Sequence, residues 1–463
     1  MAASEPSARH FDLAVIGTGS GNSLVTPDFD DKQVAIIESG IFGGTCLNVG
    51  CIPTKMYVYA AEVADTVRKA GRYGVDAQLD GVRWKDIRDR IFNRIDPIAA
   101  GGQQYRANGP NTTAFLGHAR FTGPNSIRID TADGPVGITA DQIVIATGGR
   151  PVVPELVTEA RVPFHTSDTI MRIDRLPQRL LILGGGYIGA EFAHIFSGLG
   201  SQVSLIARST TLVRHLDSEI SERFTQLAAG KWDVRLGAEL TGLSGGPDEV
   251  SLSFADGSSV TGDLLLVATG RTPNTDRLGA DAAGVELLTD GRVRVDCHGR
   301  TSAAGIWSLG DVSSDYQLKH VANHEARVVA HNLVHPDDLR TFDHRFVPSA
   351  VFTDPQLASV GCTEDELRGL GRPYRAVVQD YADTACGWAL EDTTGICKLI
   401  ADPDTGELLG AHLLGFQAAN LIQPLIQAMS LGQRVPELAR GQYWIHPALM
   451  EVVENALLKL GLN

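Results

Sequence analysis

At 463 residues, 43% hydrophobic with 50 glycines, the chain has room for about three domains of α/β type. Its formal charge of −15 argues against a nucleic-acid partner, whose phosphates need a positive surface. The longest apolar run, Leu180 to Phe196, is interrupted by Gly184, Gly185, Gly186, Gly189, Glu191 and His194, so no membrane span is expected. Residues 1 to 10 are polar and lack the apolar core of a signal peptide, which leaves a cytosolic protein as the expectation.

Phe11 to Ile16 reads as an apolar strand running into Gly17-Thr-Gly19-Ser-Gly21-Asn22, nearly the dinucleotide fingerprint. Gly17 allows the sharp turn, and Gly19 lets backbone approach a pyrophosphate. A second strand, Val34 to Ile37, ends at Glu38, where an acid can take a ribose hydroxyl. Asn22 replaces the third glycine, and the following stretch to Lys32 holds Pro27, Asp28, Asp30 and Asp31, so a short or broken helix is expected there. No arginine occurs between Gly17 and Glu38.

Gly43 to Lys55 carries Cys46 and Cys51 among Gly43, Gly44 and Gly50, with Pro53 and an amphipathic stretch behind. In an ideal helix their Cα atoms would lie about 8.6 Å apart, beyond the roughly 7 Å limit for bridging. A disulfide would require a distorted first turn, which the glycines and Pro53 permit. A helix N-terminus also lowers a thiol's pKa. A zinc half-site or two ordinary cysteines is the alternative, although no second ligand pair is evident and no metal is expected. The other four cysteines, Cys297, Cys362, Cys386 and Cys397, are scattered, unlike a structural disulfide framework.

Lys55 to Ala70 has helical spacing, residues 71 to 140 read as helix then short strands, and Gln142 to Gly149 as a strand entering Ala146-Thr147-Gly148. The fingerprint then recurs complete: strand Leu180 to Leu183, Gly184, Gly186, Tyr187 and Gly189, helix, and strand Gln202 to Ile206. After that strand come Arg208 and Arg214 with no acid between, which favours the 2′-phosphate of NADPH over NADH. A second return, Ala268-Thr269-Gly270-Arg271, echoes residues 146 to 151. From about residue 346 the texture changes: Phe346 to Phe352, Ala376 to Val378 and Gly395 to Ile400 read as antiparallel strands, Ala418 to Ser430 and Met450 to Lys459 as helices. His446 precedes a proline, with Glu451 opening the last helix, a pairing that would orient an imidazole.

Together these motifs resemble the pyridine-nucleotide disulfide oxidoreductases, from Phe11 to Leu458. The resemblance implies two Rossmann-like dinucleotide-binding domains and a C-terminal α+β dimerisation domain. Expected boundaries are residues 1–152 and 277–345 for an FAD-binding domain in two parts, 153–276 for an NADPH-binding domain and 346–463 for the interface. It places FAD against Gly17, Gly19, Gly21, Glu38, Gly44, Thr45, Thr147, Gly148, Gly310 and Asp311, and NADPH against Gly184, Gly186, Tyr187, Gly189, Arg208, Arg214 and Gly270. The helix from Lys55 would lie beneath the flavin, with Lys55 paired to Glu191 beside the reactive nitrogen and His320 as local flavin-site structure. Electrons would reach a Cys46–Cys51 disulfide. Cys51 would be the flavin-side thiolate, Cys46 the interchange thiol, and His446, oriented by Glu451 and supplied by the partner of a homodimer, the proton carrier. Among family members, the stretches 318–327, 383–392 and 442–447 are most similar to the branch that reduces mycothione, a disulfide without glutathione's carboxylates. A lipoamide-oxidising enzyme is the nearest rival, a flavin-binding redox sensor without turnover the rival of another class.

Overall fold

The computed structural model describes residues 9–462, so the expected polar start at residues 1–8 and the outermost ends of the first and last domains lie outside the described residues. Among the described residues, alternating and fully apolar runs build three large sheets, beside a three-stranded and a two-stranded one. In the first, Arg9–Ile16 lies between Val34–Glu38 and Gly134–Ile145, parallel to both, with Leu13 opposite Val34 and Ala14 opposite Ile143. Thr112–Gly123, Ser126–Thr131 and Gly134–Ile145 form a meander whose outer strands are 12 residues each, longer than the short strands expected from sequence. Ile306–Ser308 returns from much later in the chain to pair with Gly134–Ile145, completing a six-stranded sheet. The second system is a five-stranded parallel sheet centred on Arg179–Leu183, Gln202–Ile206 and Leu264–Val267. The third is a five-stranded antiparallel sheet in the order Ser349–Val351, Gln356–Gly361, Leu408–Gly415, Ile396–Ala401 and Arg375–Asp380.

The two parallel sheets enter their first helices in different ways. Gly17 and Gly184 both sit at positive φ, 106° and 133°, where a Cβ would strike the carbonyl of Ala146 at 2.3 Å and of Ala268 at 2.1 Å. In the second unit Gly189 lets the helix Tyr187–Leu199 close against the strand, since a Cβ there would lie 2.0 Å from the Gly184 oxygen. The first unit has Asn22 instead, and only two short 3₁₀ segments form, Ser20–Leu24 and Pro27–Phe29. Arg106, from the helix Trp84–Ala107, holds Asn22 through its side chain at 2.8 Å and its carbonyl at 2.7 Å. The broken helix expected from the proline and aspartates is what the structure has.

The cysteine helix, Cys51–Lys69, packs across Ala61 onto Gly198 of the Tyr187–Leu199 helix. Tyr57, Trp84 and Phe196 stack in series at 5.0 and 5.4 Å, and the Tyr57 hydroxyl donates to the Met171 carbonyl at 2.6 Å. Aromatic area of this size, with its polar tips satisfied, ties the cysteine helix to the second nucleotide unit.

Candidate active site

The cysteines lie on two helices, not one. Gly44–Asn48 ends at Val49, whose φ of −144° is not helical, and the next helix starts at Cys51 after Gly50. The break supplies the distortion that bringing the two sulfurs together demands. The structure shows both as free thiols. Hydrogen bonding from the Cys51 thiol lowers Cys46 to about 7; burial works against this and the charge of Lys319 adds to it. Cys51 moves well upward, because it is the donor in that bond and because it is buried.

Around the pair the expected partners differ in one respect. Glu191 accepts from the Phe352 backbone N–H at 2.9 Å, and burial raises its carboxyl to about 7. Lys55 does not make the expected ion pair with it: the ammonium lies 4.3 Å over the Phe352 ring and 3.8 Å from Glu62. Phe352 touches both, taking the Lys55 charge on its ring and giving its N–H to Glu191, and the Lys55 charge acts on Glu191 through space.

The dinucleotide loops interlock at glycines. Gly44, at φ 67°, faces Gly19, where an added Cβ would lie 2.6 Å from the Gly19 Cα. Glu38 accepts from the Thr18 N–H at 3.0 Å, the Thr18 hydroxyl at 2.6 Å and the Gly40 N–H at 2.8 Å. Thr147 and Gly148 join the second return through Asn274, which donates to the Thr147 carbonyl at 2.9 Å, while Arg271–Pro273 pairs antiparallel with Gly149–Pro151. Gly270 sits at φ 134° at the same crossing. Gly310 donates its N–H to the buried Glu325 carboxylate at 2.6 Å, which fixes the turn presenting Asp311. Tyr187 begins the second fingerprint helix, its hydroxyl pKa raised by burial. Arg208 and Arg214 are exposed beyond the strand end, with no ion pair among the described residues. His320 donates from Nε2 to the Pro348 carbonyl at 2.8 Å.

His446 and Glu451 form a pair, Nδ1 to Oε1 at 2.6 Å, with Glu451 largely buried and the histidine side chain 72% exposed. No hydrogen bond joins His446 to a cysteine of the same chain among the described residues. Tyr443 and Ile445 beside it are also exposed, so the segment presents an oriented imidazole and apolar side chains outward.

Residues 11–326 match the family described as pyridine nucleotide-disulphide oxidoreductase, and residues 347–457 match its dimerisation domain. The chain belongs to the pyridine nucleotide-disulphide oxidoreductase family. It is 54% identical to the mycothione reductase of Mycobacterium tuberculosis over 97% of this chain and 99% of that protein. The glutathione reductase of Burkholderia cepacia is 32% identical over 95% of this chain and 97% of its own length. Among solved structures, the Cu(II) complex of the HOCl-induced flavoprotein disulfide reductase RclA from Escherichia coli superposes with a TM-score of 0.87 at 29% identity, covering 97% of this chain and 99% of that one. No helix among the described residues is long and apolar enough to cross a membrane.

As a member of this family the chain is an oxidoreductase using FAD and NADPH, and its own residues fit both. A carboxylate offers about four acceptor sites, so Glu38 keeps capacity for a ribose hydroxyl beyond its three donors. Asp311 is raised by burial, against the charges of Arg271, at 4.0 Å, and Lys319; its carboxylate is ready for hydroxyl donors. The Tyr187–Leu199 helix has no side-chain cap and no acid in its first turn, and a Cβ on Gly186 would meet nothing within 4 Å, which leaves its N–H groups open to a pyrophosphate.

Two residues escaped the sequence reading. Lys319 donates to the Ser20 hydroxyl at 2.8 Å and its charge acts on both Cys46 and Asp311. Glu325 anchors Gly310. Both lie in the stretch 318–327 that carried part of the family resemblance, and only its spacing from Gly310-Asp311 could have singled them out.

Proposed function

We propose that the chain reduces mycothione to two molecules of mycothiol, drawing on NADPH, as a cytosolic homodimer whose sites combine both subunits. Its 54% identity over nearly the whole length to a mycothione reductase carries this reading. Bound FAD supplies the two-electron relay between nicotinamide and sulfur. Thereafter the chemistry belongs to the side chains. Cys46, the thiol with the lowered pKa, attacks one sulfur of the substrate and forms a mixed disulfide while the other half leaves as a thiolate. His446 of the partner subunit, having taken the proton of Cys46, gives it to that thiolate, and the Glu451 carboxylate holds the ring with its other nitrogen free. Cys51 then passes its proton to His446 of the partner subunit and attacks Cys46; the departing sulfur takes that proton, which releases the second mycothiol and closes the Cys46–Cys51 disulfide. Arg208 and Arg214 take the 2′-phosphate of NADPH, and Tyr187 covers the nicotinamide pocket.

The test is steady-state NADPH oxidation with mycothione, glutathione disulfide and lipoamide side by side. Mycothione should be preferred by a large margin in kcat/KM. Glutathione disulfide turned over equally well would overturn the substrate, and NADH outperforming NADPH would favour the lipoamide-oxidising rival.

A further inference from the structure

The segment that carries Arg208 and Arg214 is fixed from below by groups with no direct use in disulfide reduction. Val213, between the fingerprint and Arg214, is buried and held at φ 45°, a region a β-branched residue rarely enters. Its N–H donates to the Gly185 carbonyl at 2.8 Å, within the phosphate loop itself, and its carbonyl accepts from the Ser221 hydroxyl at 3.1 Å. Leu212 N–H donates to the Thr225 hydroxyl at 3.0 Å. Arg208 is bracketed too: Ala207 donates to the Arg235 carbonyl and the Ser209 carbonyl accepts from Gly237.

The far end of the segment is tied to the C-terminal unit. Asp217 caps the helix Ser218–Ala229 by accepting from the Glu219 N–H, and it is fully buried. Lys398, from the antiparallel sheet and only 2% exposed, places its ammonium 2.7 Å from Asp217, 2.5 Å from Glu364 and 3.4 Å from Glu219. Glu364 also donates its backbone N–H to Asp217 at 3.2 Å. A strained residue persists only where its surroundings over-determine it, and here they are the phosphate loop on one side and a buried ion cluster on the other.

We propose that Val213 and the Lys398–Asp217–Glu364 cluster are positioning residues for cofactor selection: they hold Arg208 and Arg214 in place before the nucleotide arrives, so that the 2′-phosphate is bound without first ordering the segment. The proposal rests on the reading that these two arginines meet the 2′-phosphate. Selectivity is a difference of affinities, and ordering two arginines in advance strengthens only the ligand that uses them.

The experiment measures binding of adenosine 2′,5′-bisphosphate and of 5′-AMP to the oxidised holoenzyme by calorimetry, with the ratio of NADPH to NADH kcat/KM as a second readout. Val213→Gly relieves the backbone strain and frees the segment; because it also removes a buried side chain, its Tm is measured first, and Asp217→Asn carries the test should it fail to fold. Val213→Gly should weaken the bisphosphate about five- to tenfold, leave 5′-AMP unchanged and raise KM for NADPH with little change in kcat. Asp217→Asn, which retains the helix cap, should move the same way. Arg208→Ala with Arg214→Ala is the control for the underlying reading: if that double variant binds the bisphosphate like wild type, the arginines do not meet the phosphate. If it loses binding while Val213→Gly and Asp217→Asn do not, or if they weaken both nucleotides alike, the positioning role is overturned.

Discussion

At the scale of single residues, the site separates two sulfurs whose different roles the sequence offered only through the family resemblance. Cys46 is lowered to about 7 chiefly by the hydrogen bond from Cys51, with Lys319 adding its charge. In enzyme reduced by NADPH, alkylation of Cys46 should therefore rise with pH through a midpoint near 7. Cys51→Ala should move that midpoint upward, and Lys319→Met should move it less; unchanged midpoints in both would remove the electrostatic explanation. Under the proposed mechanism turnover depends on His446 as well. A positioned acid–base group contributes about 10²–10⁴-fold, so His446→Gln should lower kcat by that order while NADPH still reduces the enzyme. Glu451→Gln keeps a hydrogen-bonding partner without the charge and should cost less, a ranking that pre-steady-state kinetics can check.

At the scale of elements, most of what was legible came from glycines and caps. Gly17 and Gly184 announced the two strand-to-helix turns because the close carbonyls of Ala146 and Ala268 exclude a Cβ there. Pro27 and the nearby aspartates announced the broken helix, yet nothing local showed that Arg106, some eighty residues on, would secure Asn22. The strands Gln356–Gly361 and Leu408–Gly415 were not read from sequence: the latter is buried at every position, so it lacks the alternation that marks a half-exposed strand. The Lys55–Glu191 contact was misjudged because Phe352, from a distant segment, takes the Lys55 ammonium on its ring and gives its N–H to the Glu191 carboxylate. Packing of the cysteine helix is itself testable. A side chain at Gly198 would place its Cβ 2.8 Å from that of Ala61. Gly198→Val should thus destabilise by about 1–3 kcal/mol through overpacking, read by chemical denaturation; a neutral or stabilising result would mean that the two helices can part freely.

At the scale of the whole molecule, three units meet at one carboxylate. Asp354 lies 2.6 Å from Lys69 of the cysteine helix and 3.4 Å from Lys231 of the second nucleotide unit. Burial alone would raise its pKa, but the two ammonium groups outweigh that and hold it at about 2, below the ordinary 3.8. A depressed carboxyl gives stability that is complete above the ordinary value and is lost as pH falls through the folded one. The gap in Tm between wild type and Asp354→Asn should accordingly narrow as pH drops from about 4 toward 2, and a gap constant with pH would contradict the ion cluster. His446 is exposed and paired with Glu451, as a side chain offered to a second subunit under the proposed mechanism would be. Mixed dimers of Cys46→Ser and His446→Ala subunits should regain turnover that neither homodimer has, because one of their two sites is intact.

The passage of electrons from nicotinamide to the sulfur pair, and from there to substrate, is tested most directly by Cys46→Ser. In this variant NADPH should still reduce the bound flavin, seen as bleaching of its absorption, while multiple turnover of mycothione disappears. Persistent turnover, or a protein with no flavin absorption to bleach, would contradict it.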